Sequence, residues 1–267
     1  MEVRVLGCHG GESATHRASS FLIDGKVSID AGATASALTL EEQQSIEAVL
    51  VSHAHLDHVR DLATLADHRC QQGGQPLVIA GLPETIRALQ QHFFNNILWP
   101  DFSKIPLLGQ ASQGMTIVFK AIEAEKWASL SCIEVMPVRV NHTIDACGFI
   151  VRSKGCSIVY SGDTGPTDRL WECASHEADL RAILLEVSFP NHMHGLAHRS
   201  GHHIPETLGM ELKKLERLGN GSRAPLGKIP VFAYHIKPLF EQRVERELAM
   251  LRESRLEILR LDARFVL

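Results

Sequence analysis

The chain reads as an α/β protein made of two similar halves packed face to face. Short β-branched runs and helical patterns follow one another as strands, helices, strands, then helices, and no linker or repeat divides them. Several apolar runs end in loops rich in histidine and acid, which is where sandwiches of this kind carry their chemistry. One domain over residues 1–267 is expected, long enough to bury a sizeable core.

Composition narrows the classes. No apolar run approaches the ~20 residues of a membrane span, so no membrane partner is expected. The amino terminus enters a strand pattern at once and lacks the regions of a signal peptide, so a cytoplasmic protein is expected. The six scattered cysteines include no Cys-x-x-Cys pair and read as free thiols. A formal charge of −4 argues against general nucleic-acid binding and leaves room for a small anionic substrate.

Residues 2–7 and 20–30 give three short strands, with a loop between them that carries Gly10, Gly11 and His16. The second hairpin turns at Asp24-Gly25, and its far strand leaves through Asp30-Ala31-Gly32. Thr39 is a hydroxyl N-cap for a short helix that begins with acids at Glu41 and Glu42. Ile46 to Val51 is a buried strand, and its carboxyl end delivers His53, His55, Asp57 and His58. That is a metal site. If strand geometry persists past Ser52, then His53, His55 and Asp57 alternate onto one side, while Asp57 and His58 can turn toward a second point. One short loop can then serve two cations. Histidine and carboxylate without thiolate suit zinc, manganese or iron better than copper or an iron–sulfur cluster.

Leu62 to Cys70 has helical spacing, Leu77 to Ala80 is a strand, and Pro83 to Phe94 is a helix with proline in its first turn. Residues 93–102 hold Phe93, Phe94, Trp99 and Phe102, whose simplest use is packing; stacking on a nucleobase and a homodimer interface stay open. Gly114 to Lys120, Cys132 to Arg139, Cys147 to Arg152 and Ser157 to Ser161 read as strands of the second half. His142 and Asp163 stand just past two of these strands. Ala182 to Val187 is a further buried strand, and after it come His192, His194, His198, His202 and His203, in a stretch too polar for a core that reads as a loop with some spectator histidines. A helix from Pro205 to about Leu218, a break at 219–222, and a strand from Ile229 to Tyr234 lead to His235. Leu239 to Arg252 and Leu256 to Leu261 close the chain as helix and strand.

His53-Ala54-His55-Leu56-Asp57-His58 resembles the H-x-H-x-D-H signature of the metallo-β-lactamase superfamily, which implies an αββα sandwich. Ser161-Gly162-Asp163-Thr164, Glu186-Val187-Ser188-Phe189-Pro190-Asn191, Ser200-Gly201-His202-His203-Ile204-Pro205 and His235-Ile236-Lys237-Pro238 extend the likeness over most of the chain. Together these pieces resemble the class II cyclic-nucleotide phosphodiesterases. The resemblance implies two divalent metal ions, Zn2+ first and Mn2+ or Fe2+ as alternatives. It implies that His53, His55 and His142 hold one ion, that Asp57, His58 and His235 hold the other, and that Asp163 is shared. The implied reaction is hydrolysis of 3′,5′-cyclic AMP or GMP to nucleoside 5′-monophosphates, with Asp57 among the catalytic residues, His202 as proton donor to the leaving oxygen and Glu186 orienting it. Asp30 either supports the metal loop from behind, as the resemblance implies, or is a simple turn carboxylate.

Two departures from the family pattern, Asp61 in place of a small residue and His203-Ile204 in place of Leu-Thr, are expected to bear on substrate preference. The nearest alternatives are a tRNA 3′-processing endonuclease-like phosphodiesterase and a glyoxalase II-like thioesterase. The first needs a basic, Gly/Pro-rich arm that the sequence does not display, and the second lacks the S-F-P-N and S-G-H segment.

Overall fold

The computed structural model describes residues 1–109, 114–219 and 226–267. The break expected at 219–222 runs into residues outside that range. Strands in chain order are β1 (Glu2–Gly7), β2 (Ser20–Ile23), β3 (Val27–Ile29), β4 (Ala48–Val51), β5 (Leu77–Gly81), β6 (Ile117–Ala121) and β7 (Ala128–Leu130). They continue as β8 (Ile133–Arg139), β9 (Cys147–Ser153), β10 (Cys156–Tyr160), β11 (Leu180–Glu186), β12 (Val231–Tyr234), β13 (Leu256–Ile258) and β14 (Arg264–Val266). They form two seven-stranded sheets, ordered β14-β1-β2-β3-β4-β5-β6 and β13-β12-β11-β10-β9-β8-β7.

Period-two burial sorts the side chains. Val3, Val5, Phe21, Ile29 and Leu50 of the first sheet meet Val135, Phe149, Val151, Ile158 and Tyr160 of the second in one apolar layer between the sheets. Alternate residues such as Val49, Val51 and Ile79 face outward under helix Leu62–Gln72, while Ile150, Val159, Ile183 and Val231 lie under helices Arg169–Ala174 and Pro205–Gly219. Helix, sheet, sheet, helix is therefore the layer order. Removing one such buried side chain, as in Leu50→Ala, costs about 2–5 kcal/mol.

Both sheets are mixed, and this positions the site. The pairs β3–β4, β4–β5 and β5–β6 are parallel, as are β10–β11, β11–β12 and β12–β13, so their carboxyl ends open on common edges.

The structure corrects several expectations. The strand read at 114–120 pairs with β5 in the first sheet, because a strand reached through a helical crossover lies parallel beside its predecessor. The closing β14 also returns to the first sheet, beside β1, and like β7 it is a three-residue strand too short for a periodic signal. Helices Arg169–Ala174 and His194–Ser200 went unread; the second stands where a polar loop was expected. Helix Pro83–Ala88 continues as a wider π turn, Leu89–Phe93. Phe93, Phe94 and Phe102 pack in the outer core of the first sheet, as expected for packing residues, whereas Trp99 is exposed together with Ile97 and Leu98. The hydroxyl N-cap expected at Thr39 is present, and with Glu42 it completes a capping box. Among the described residues no helix is long and apolar enough to cross a membrane, and all six cysteines are free.

Candidate metal centre

The strand does not persist past Ser52. β4 ends at Val51, and residues Leu56–Val59 form a single helical turn whose N-cap is His55. His58 N–H donates to the His55 carbonyl at 3.0 Å, and this turn sends Asp57 away from His53 and His55. The alternation that would have put Asp57 beside those two histidines is therefore corrected. The loop instead divides between two groups.

In the first group, His55 Nδ1 lies 3.0 Å from His53 Nε2 and 3.1 Å from His142 Nε2. His142 comes from the exit of β8, and Gly201 packs against it: a Cβ at Gly201 would lie 2.9 Å from His142 Cα, and the residue has φ +65°, so only glycine fits. In the second group, His235 Nε2 lies 3.4 Å from His58 Nε2 and 3.5 Å from Asp57 Oδ2. Asp163, just past β10, reaches both. Its Oδ2 is 3.8 Å from His53 Nε2, 3.3 Å from His58 Nε2 and 3.2 Å from His235 Nε2. Each three-residue set brings its ligand atoms within 4.8 Å of one another.

The outer nitrogens fix the rings. His58 Nδ1–H donates to Asp30 Oδ2 at 2.7 Å and His142 Nδ1–H to the Gly201 carbonyl at 3.0 Å. His235 Nδ1–H donates to Ser188 Oγ at 2.9 Å, and His53 Nδ1–H to Ser52 Oγ at 3.0 Å. Four imidazoles thus turn their Nε2 atoms toward one buried carboxylate. Asp163 Oδ1 is buried with no hydrogen-bond partner among the described residues. Lone pairs gathered this closely, with an orphaned carboxylate oxygen at their centre, fit divalent cations, and the nitrogen–oxygen donor set suits zinc. Burial pushes the Asp163 carboxyl up, but His235, His58 and His53 outweigh it and hold it well below the usual range.

Asp30 is more than a turn residue. Its carboxylate accepts from Ser52 N at 2.8 Å, Ser52 Oγ at 2.8 Å and Tyr160 Oη at 2.6 Å as well as from His58. Asp30 and His235 both have positive φ, 55° and 68°, backbone strain of about 1–3 kcal/mol each that the surrounding hydrogen bonds offset.

Glu186 and His202 meet beside the centre. His202 Nδ1 lies 2.8 Å from Glu186 Oε1, and a His202 ring nitrogen lies within 4.8 Å of ligand atoms of His142 and Asp163. Glu186 also accepts from Thr164 N at 3.1 Å and from Ser188 Oγ at 3.2 Å. Burial, then the charge of Asp163, pushes the Glu186 carboxyl well up, while burial pushes His202 down.

Two contributors were missed in the sequence. Ser188 joins His235 to Glu186, and Lys237 Nζ stands 3.9 Å from Asp57 Oδ2 at the partly open rim. Both lie in stretches noticed for family likeness, yet nothing in their spacing revealed the contacts. Asp61 is buried: its Oδ2 accepts from Ala35 N at 2.8 Å and Ser36 N at 3.2 Å, and its Oδ1 accepts from Arg60 Nε at 2.9 Å. His203 is fully buried and bonded to Thr207 Oγ1 at 2.9 Å. His192, His194 and His198 are exposed on the surface.

Residues 20–260 match the family model of class-II cAMP phosphodiesterases. The chain belongs to that family. A probable 3′,5′-cyclic-nucleotide phosphodiesterase of Yersinia pestis is 30% identical over 217 residues, which cover 75% of this chain and 60% of that protein. The match thus spans less than two thirds of that relative's length. Unliganded yeast PDE1 superposes with a TM-score of 0.81 at 21% identity over 100% of this chain and 99% of that one. The metallo-β-lactamase fold protein YhfI from Bacillus subtilis gives 0.72 at 16% identity over 99% and 98%. This member of the class II family therefore has the metallo-β-lactamase fold, an αββα sandwich.

Proposed function

We propose that residues 1–267 act as one hydrolase domain that converts 3′,5′-cyclic AMP or GMP to nucleoside 5′-monophosphates. The carrying observation is the Glu186–His202 pair at 2.8 Å, set beside the Asp163 cluster. In this reading His53, His55 and His142 hold one divalent cation, Asp57, His58 and His235 hold a second, and Asp163 joins both. Two cations there, zinc first and manganese or iron(II) as alternatives, would lower the pKa of a water and neutralise phosphoryl charge.

The remaining steps belong to side chains. A ribose 3′-oxygen is a poor leaving group until protonated. His202 supplies that proton from Nε2 and takes one from Glu186 at Nδ1, so the ring stays a neutral imidazole and Glu186 is left as the carboxylate. Ser188 keeps Glu186 in register with His235, and Lys237 offers a positive charge to the incoming phosphate at the rim. Six free thiols among the described residues suit the reducing cytoplasm, the location proposed for the protein.

The test is a substrate panel. Metal-reconstituted protein should hydrolyse cyclic AMP or GMP faster than cyclic dinucleotides, pre-tRNA or a glutathione thioester, and saturated protein should hold two equivalents at this centre. Preferred cleavage of pre-tRNA would move the assignment to a tRNA 3′-processing endonuclease-like enzyme. Thioester turnover without phosphodiester turnover would move it to a glyoxalase II-like one.

A further inference from the structure

Outside that centre, another cluster on the molecule has ligand chemistry. His9, His16 and Glu241 bring one ligand atom each within 4.8 Å of one another. His16 Nε2 lies 3.0 Å from Glu241 Oε2, and His9 Nε2 lies 3.5 Å from Glu241 Oε1. The two rings stand edge to face, 4.6 Å apart at 82°, so both Nε2 atoms converge on one carboxylate. Each ring is anchored through its other nitrogen: His9 Nδ1 is 3.3 Å from the Arg17 carbonyl, and His16 Nδ1 is 2.5 Å from Ser13 Oγ. One nitrogen inward and the other held by the protein is the arrangement that orients ligating histidines.

The neighbours leave the trio available. Cys8 turns its thiol to the Leu259 carbonyl at 3.6 Å and stays out of the set. Arg260 approaches Glu241 only to 3.7 Å because its guanidinium is paired with Glu245 at 2.5 Å. His9 is buried, whereas His16 lines an open cleft with Glu12, Ser13 and Arg60, which gives an ion a way in.

We propose that His9, His16 and Glu241 form a third divalent-cation site, one that takes a zinc-class ion through two imidazoles and a carboxylate with solvent completing the coordination. Its ligands come from the loop after β1 and from the first residue of helix Glu241–Ala249, which bracket the exit of β12. The same loop is bonded to that exit: His235 N–H donates to the Cys8 carbonyl at 2.7 Å, and Gly10 N–H donates to the Ile236 carbonyl at 3.1 Å. An ion between loop and helix therefore clamps the segment that carries His235.

The experiment reads a difference in metal content, so it stands whether the catalytic centre holds one ion or two. Metal-free protein is dialysed to saturation against Zn2+ and separately Co2+, and bound metal is counted in wild type, His16→Ala and Glu241→Gln. Wild type should hold one equivalent more than either variant, with a matching loss of the cobalt visible band. Equal content in all three overturns the proposal. Should both variants fail to fold, crystals of the unmodified protein soaked in Zn2+ decide it. Anomalous density among His9, His16 and Glu241 is expected there, and its absence at saturating zinc overturns the site.

Discussion

The two halves of the sandwich supply the centre in different ways. The first sheet gives four candidate ligands from a single loop, His53 to His58, steadied from behind by the Asp30 carboxylate. The second sheet gives His142, Asp163 and His235 from three separate strand exits, with Glu186 and His202 alongside. In the first half, ligand positions follow from one turn and one buried carboxylate. In the second, they follow from how three separate strands align within the sheet, so each position depends on packing far from the site. The contrast teaches that the amino-terminal half gathers its candidate ligands by local geometry, while the carboxyl-terminal half places the shared carboxylate and its neighbours by tertiary geometry.

Breaking the joint between the halves should have the largest effect. Asp163→Ala removes the carboxylate that reaches both groups, and the loss in kcat on cyclic AMP should be about 10³-fold or more, ~4 kcal/mol of barrier. Circular dichroism should show the fold retained. A variant keeping more than about a tenth of wild-type kcat, a loss under ~1.4 kcal/mol, would show that the shared role is wrong.

His202→Ala tests the second half alone. About 10²-fold or more should be lost on cyclic AMP or GMP, the range for general acid catalysis, and far less on bis-p-nitrophenyl phosphate, whose leaving group departs unprotonated. Metal content should not change. Equal losses on both substrates would make His202 a positioning residue.

Asp30→Asn tests the first half. It weakens the bond that holds His58 and should lower metal affinity by about 10–100-fold, measured by chelator competition, with less effect on kcat at saturating metal. Unchanged affinity would return Asp30 to a plain turn carboxylate.

The smallest effect expected concerns His203, the sequence neighbour of His202 with a different duty. Burial pushes its pKa from 6.5 down to about 3, so the folded protein stays neutral where the unfolded chain takes up a proton. The unfolded state then binds more protons in that window, and the stability contributed is present above pH 6.5 and lost as pH falls toward 3. His203→Leu should flatten that part of the pH–stability curve in urea melts while leaving turnover at neutral pH near wild type. An unchanged slope would mean that His203 takes up its proton in the folded state as readily as in the unfolded chain.

The sequence by itself determined what depends on near neighbours. The hairpin at Asp24-Gly25, the Thr39 cap and the buried strand ahead of His53 each rest on a few adjacent residues and a fixed period. The family resemblance carried His142, Asp163, Glu186, His202 and His235 as well, but only as separate points along the chain. Only the tertiary structure decided how those points meet. The turn at Leu56–Val59 parted Asp57 from His53, and the close approach of Gly201 placed His142. Ser188 linked His235 to Glu186 across strands that the sequence leaves unpaired, and the buried carboxylate of Asp61 closed on the amides of Ala35 and Ser36. Contacts between residues far apart in the chain depend on strand order and register, and a pattern of period two or 3.6 carries neither.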